Sequence, residues 1–143
     1  MNITRVNLVL FLTIVNLLLG IAANAQTKDR SSDRDKWMVR IAKIKVDSAW
    51  LKEYKLAIEE HTKAALELES GVLTLYALQD KVHPENVTVL EIYASKEAYQ
   101  LHIKSAHFIK YKTSTLHMVK SLELIDVDPI ALGAKQHLLG ELL

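Results

Sequence analysis

Two apolar runs rich in β-branched residues, VLTLYALQ from Val72 to Gln79 and VTVLEIY from Val87 to Tyr93, flank a polar segment from Asp80 to Asn86 that contains Pro84. Runs of this kind bounded by turn residues read as strands, and so short a connection makes them an antiparallel hairpin. A hairpin in mid-chain constrains whatever precedes and follows it, because both flanks must pack on the same small sheet.

The flanks are mirror images in order. Trp37 to Val46 (WMVRIAKIKV) alternates apolar residues with Arg40, Lys43 and Lys45 and reads as a first strand. Asp47-Ser48 offers an N-cap. From Ala49 to Glu69 the apolar positions Leu51, Tyr54, Ile58, Ala65 and Leu68 recur at helical spacing, with charges on the other faces, so a long amphipathic helix is expected. Gly71 is expected to end it as a C-terminal cap. His61 falls inside this helix and reads as a partly exposed helix residue.

After the hairpin, Ser95 can cap a helix with Glu97 in its first turn, where Ala98, Leu101, His102 and Ser105 share a face. A second short helix carries Phe108, Tyr111 and Thr115 inward and ends near His117. Met118 to Val127 (MVKSLELIDV) is the last strand, and Asp128-Pro129 stops it. Residues 37–128 therefore order as strand, helix, strand, strand, helix, strand. That order is the split βαβ pattern of a ferredoxin-like α+β domain, an antiparallel sheet with its helices on one face.

Helices on one face leave the other uncovered, yet both alternating sets in the hairpin are apolar. Leu73, Leu75 and Ala77 oppose Val72, Tyr76 and Leu78, and Val87 and Val89 oppose Leu90 and Ile92. A second copy packed sheet to sheet would cover the bare face, so a homodimer is expected.

Outside the domain the chain opens with Met-Asn-Ile-Thr-Arg5, an apolar run from Val6 to about Ile21, and Ala23-Asn24-Ala25. This pattern reads as a cleavable export signal over residues 1–25, too short in its apolar part for a comfortable membrane span. The expected location is periplasmic or secreted, with no stable membrane anchor after cleavage. Residues 26–36 read as a charged linker, and residues 129–143 as a tail able to form a short docked helix. Cleavage would leave 143 − 25 = 118 residues with 17 basic and 17 acidic side chains, since the removed piece holds Arg5 and no acid. A neutral, mixed surface argues against a nucleic-acid partner. Cys is absent, which excludes both disulfides and thiol chemistry.

Few chemistries remain. Gly71, Gly133 and Gly140 stand alone, so no glycine-rich phosphate loop can be built, and no Gly-x-Ser-x-Gly elbow occurs. His102 and His107 are not on one helical face and no His-Glu-x-x-His is present, so no metal is expected from local spacing. The segment from Glu91 to Tyr111 nevertheless concentrates histidines, tyrosines and a carboxylate, the material of a small-molecule pocket. His107 and His102 are the candidate proton acceptors, since an imidazole titrates near neutrality and can take a proton from a phenol or enol. Glu91 at a pocket wall could orient a histidine. Tyr76, Tyr93, Tyr99 and Tyr111 read as core aromatics whose hydroxyls reach the edge, with Tyr76, Tyr93, Phe108 and Tyr111 the candidates to face substrate beside Glu91.

At these residues the sequence resembles the antibiotic biosynthesis monooxygenase family, in particular its quinol monooxygenase-like members. The resemblance rests on Glu69-Ser70-Gly71-Val72-Leu73 after the long helix, on Glu91-Ile92-Tyr93 followed by Ser95-Lys96-Glu97-Ala98-Tyr99, and on His102 through Ser105 to His107-Phe108. It covers roughly Met38 to Val127. It implies a dimeric ferredoxin-like α/β barrel and oxygenation of a small electron-rich aromatic by dioxygen without metal, flavin or other cofactor. In the implied mechanism the enzyme deprotonates the substrate, and the resulting anion reduces dioxygen before a carbon–oxygen bond forms, with His107 or His102 as base. Haem-degrading members carry a Trp and a His where this sequence has His102 and Lys112, so haem degradation is not expected. A non-catalytic dimeric module for a small ligand or protein partner, and a cofactor-free isomerase or lyase, remain open beside the oxygenase reading.

Overall fold

A computed structural model describes residues 34–135 of the chain, and these lie within a single unit. The export signal expected over 1–25, most of the linker and the end of the tail fall outside the described residues. Strand β1 runs Met38–Val46, followed by a 3-10 turn Ser48–Trp50 and helix α1, Leu51–Leu68. The hairpin comprises β2, Val72–Gln79, and β3, Asn86–Tyr93. Helices α2, Lys96–His102, and α3, Ala106–Thr115, lead through a 3-10 turn Leu116–Met118 into β4, Val119–Asp126.

The 3-10 turn that leads into α1, and helices α2 and α3, each start on the side chain the sequence offers, whereas α1 itself starts after Trp50 without a side-chain cap. Asp47 Oδ1 accepts the Ala49 N–H at 3.0 Å, Ser95 Oγ the Ala98 N–H at 3.2 Å, and Ser105 Oγ the Phe108 N–H at 3.3 Å. These caps satisfy amides that the first turn leaves unpaired. Lys104 and Ser105 end one helix and start the next, so α2 and α3 meet at a corner, with Ser105 N–H bonded to His102 O at 3.0 Å.

The four strands form one antiparallel sheet in the order β2-β3-β1-β4, with the helices on one face, as a ferredoxin-like α+β fold requires. Ala42, Ile44 and Val46 of β1, Val87 and Val89 of β3 and Leu75 of β2 point toward the helices and form the core with Tyr54, Ile58 and Ala65 of α1. Full burial of each large apolar side chain contributes on the order of 1.5–3 kcal/mol.

Three local expectations are corrected. The inward stripe of α1 is Tyr54, Ile58, His61 and Ala65, whereas Leu68 is exposed at the helix end. The helix stops at Leu68 with Glu69 as its cap, and Gly71 is needed for a different reason: a Cβ there would lie 2.7 Å from the Cβ of Ala98. Gly71 is the gap through which α2 packs down on the start of β2. The register of β2 against β3 slips between Val72 and Thr74, so Val72 joins Leu75 in the core and simple alternation misassigns it.

On the opposite face, pairing aligns Tyr76 with Leu90, Leu90 with Ile41, and Ile41 with Ile125. An apolar row thus crosses all four strands on the side away from the helices. No helix among the described residues is long and apolar enough to cross a membrane.

Candidate active site

A cavity of about 430 Å³ lies between the helix-side face of the sheet and the helices. Ala42, Ile44 and Val89 floor it, Leu122 and Leu124 of β4 close one side, and Phe108 and Tyr111 of α3 roof it. This size and aromatic lining suit a small organic molecule.

One wall carries the polar groups. Glu91 and Tyr93 alternate with the outward-facing Ile92 on β3, so both face the cavity, and the Tyr93 hydroxyl donates to Glu91 Oε2 at 2.9 Å. Burial raises the Glu91 carboxyl above its usual range, opposed by the Tyr93 hydrogen bond and the positive Arg40. Arg40 reaches the cavity from β1, sits 4.4 Å over the Tyr99 ring, and donates to Asp126 Oδ1 at 2.7 Å. Its charge is therefore already partnered.

The histidines gather where three helix ends meet. His102 closes α2, His107 lies in the first turn of α3, and Glu69 follows the last residue of α1. Glu69 Oε1 stands 2.8 Å from His102 Nδ1 and 2.6 Å from His107 Nε2, and His107 Nε2 is also 3.1 Å from Ser105 Oγ. An ionised carboxylate only accepts, so both imidazoles direct an N–H toward it. For neutral His102 this places the proton on Nδ1 and leaves Nε2 as a bare lone pair, without a protein partner among the described residues. A carboxylate that holds one ring nitrogen sets the tautomer and orientation of the other. Burial lowers the His102 pKa, against the raising effect of Glu69.

His61 completes the cluster from α1. Its ring lies 5.2 Å from that of His102, 5.5 Å from that of His107, and stacks on Tyr111 at 4.8 Å and 10°. It is buried, Nδ1 has no hydrogen-bond partner, and burial together with the two neighbouring imidazoles pushes its pKa down to about 3. His61 therefore stays neutral at physiological pH. Behind it, the Tyr111 and Tyr54 hydroxyls share a hydrogen bond at 2.6 Å, which anchors the stacked ring.

Of the residues singled out in the sequence, His102, Glu91, Tyr93, Phe108 and Tyr111 line the cavity together. His107 does not. It faces a small recess beside Ala57 and Lys110 and is linked to the cavity through Glu69 and His102, so of the two candidate bases direct contact with a ligand falls to His102, beside His61, which lines the cavity as well. Tyr76 is corrected outright: it belongs to the row on the far face of the sheet, 39% exposed, because residues of its parity on β2 point away from the helices.

Two participants were given no site role in the sequence, His61 being read as a partly exposed helix residue and Glu69 only as part of the family motif. His61 carried a signal, since it sits three residues after Ile58 and four before Ala65 on the buried stripe. Glu69 stood in the motif that carries the family resemblance, but its pairing with the histidines had no local signal, because its partners lie 33 and 38 residues away. The same convergence overturns the spacing argument against a metal: Glu69, His102 and His107 place potential ligand atoms within 4.8 Å of one another.

Residues 38–114 match the family model described as antibiotic biosynthesis monooxygenase. Among solved structures, a protein of Bacteroides thetaiotaomicron provisionally named an antibiotic biosynthesis monooxygenase is 46% identical, with 72% of this chain and 98% of that chain covered and a TM-score of 0.69. A similarly named protein of Caulobacter crescentus is 21% identical, covering 66% and 92%, at a TM-score of 0.60. Another from Nitrosomonas europaea is 16% identical, covering 66% and 91%, at a TM-score of 0.63. At those two identities the likeness concerns the fold alone. No curated protein matches the chain.

Proposed function

Because the chain belongs to the antibiotic biosynthesis monooxygenase family, we propose that it is a cofactor-independent monooxygenase that oxidises a small electron-rich aromatic, a quinol or polyphenol, with dioxygen. The observation that carries this reading is His102, its Nδ1 held by Glu69 and its Nε2 free, on the wall of an aromatic-lined cavity.

His102 Nε2 takes the proton of a substrate hydroxyl, and Glu69 stabilises the imidazolium that results. The phenolate left in the cavity is rich enough in electrons to reduce dioxygen. For a hydroquinone the balance closes without a second reductant: hydroquinone plus dioxygen gives hydroxyquinone plus water, the substrate supplying every electron. Phe108 and Tyr111 hold the ring, and the apolar floor keeps water from competing for the anion. His107 acts behind Glu69, as its second hydrogen-bond donor.

The apolar row Tyr76, Leu90, Ile41 and Ile125 supports a homodimer packed sheet to sheet, the dimeric α/β barrel. The basic start, apolar run and Ala-Asn-Ala of residues 1–25 support export.

Dioxygen consumption by metal-free protein, measured over a panel of hydroquinones and naphthohydroquinones, tests the activity. Uptake above autoxidation is expected, and His102→Ala should reduce it about 10²- to 10⁴-fold, the usual worth of a general base. Stabilisation by the same compounds without consumption would place the chain as a binding module, and turnover without dioxygen as an isomerase. Sedimentation of the domain at low micromolar concentration tests the dimer, and a stable monomer would reject it.

A further inference from the structure

We propose that Glu69, His102 and His107 form a binding site for a divalent first-row transition ion, and that the ion and the proposed proton-accepting state of His102 exclude one another. Two imidazoles and a carboxylate, drawn from three helix ends, place one ligand atom each within 4.8 Å of the others. A transition ion with bonds of about 2.0–2.2 Å holds its ligand atoms roughly 3–3.5 Å apart. The present separations of 2.8 and 2.6 Å are hydrogen bonds across the place where the ion would sit. Conversion to a metal-bridged cluster opens these two by about half an ångström and draws the two imidazole nitrogens, which lie within 4.8 Å of each other, together by roughly an ångström.

The donor set selects the ion. Imidazole nitrogen with one carboxylate oxygen suits Zn²⁺, Co²⁺, Ni²⁺ or Fe²⁺, whereas Mg²⁺ and Ca²⁺ require mostly oxygen. One negative charge on the cluster favours a dication, and three protein ligands leave positions open for water. Access comes from the solvent side, where the Glu69 and His107 side chains are each 16% exposed, while His102 at 2% is the inner ligand. Ser105 Oγ contacts the same His107 Nε2 at 3.1 Å, a hydrogen bond that the ion would replace.

The exclusion follows from tautomers. Binding an ion through Nδ1 moves the neutral His102 proton to Nε2, the atom that faces the cavity unpaired. An Nε2 that carries a proton cannot accept one from a phenol. Metal binding would therefore silence the base without filling the cavity.

The test uses the tag-free, metal-stripped chain titrated with Zn²⁺ by calorimetry and with Co²⁺ by visible absorption, in the absence of any substrate. One ion per chain is expected, unmoved by excess Mg²⁺, and weakened at least tenfold in Glu69→Gln and in His107→Gln, but not in His83→Ala or His117→Ala. Circular dichroism establishes that each variant is folded, and His107→Ala serves as the second variant if His107→Gln is not. Failure to bind, or wild-type affinity in Glu69→Gln and His107→Gln, would overturn the site while leaving the oxygenase reading untouched. If metal-free protein consumes dioxygen, saturating Zn²⁺ should abolish the uptake, and undiminished uptake would overturn the exclusion.

Discussion

Two carboxylates, Glu69 and Glu91, sit near the same cavity and are put to opposite uses. Glu69 lies past the end of α1, partly exposed, and accepts from two imidazoles that converge on one of its oxygens. Glu91 lies within β3, accepts from the Tyr93 hydroxyl, and is pushed toward its neutral form by burial. One aligns two bases, and the other is an acid that burial makes harder to ionise. Identical side chains acquire different chemistry from their partners and their access to water, and the separation of two such environments is how a site divides acid and base roles.

The comparison breaks first at Glu69. Glu69→Gln keeps the shape and removes the charge that stabilises protonated His102, so turnover of an accepted quinol should fall about 10- to 100-fold with KM little changed. Steady-state dioxygen uptake reads this, and an unchanged kcat would mean that His102 works without its carboxylate. Glu91→Gln should cost less activity and act instead on stability. A carboxyl whose folded pKa is raised contributes stability that is full below its unfolded value, near 4.3, and is lost as pH rises through the folded value. Glutamine removes that loss, so the variant should gain a few tenths to about 1 kcal/mol over the wild type at pH 8 and nothing at pH 4. Urea unfolding at the two pH values measures the difference, and an equal effect at both would detach Glu91 from its burial. The smallest effect belongs to Tyr76→Phe, which should leave dioxygen uptake unaltered because the residue faces away from the cavity.

The architecture was legible because its signals are local. Alternation in β1, the Pro84 loop between the hairpin strands, and the caps at Asp47 and Ser95 each act over a few residues, and together they leave one compact arrangement. Val72 escaped because a register slip shifts the parity of β2 at its first residues. Half of the site was legible for the same reason: His102, Phe108 and Tyr111 lie in one short segment that had to fold over the sheet. The pairing of His102 and His107 through Glu69 was not, since they stand five positions apart along the chain, which places them on different faces of any single helix. The corner at Ser105 breaks that helix and turns both rings to the end of α1.

The amino-acid sequence alone determined the order of elements, the ferredoxin-like class, the absence of thiol chemistry and the segment that lines the cavity, because backbone periodicity and capping act over short spans. The tertiary structure decided that His102 and His61 line the cavity and His107 does not, that His61 is buried and neutral, and that Glu69 governs the other two, because a side chain's partners and its burial depend on neighbours that only packing brings together.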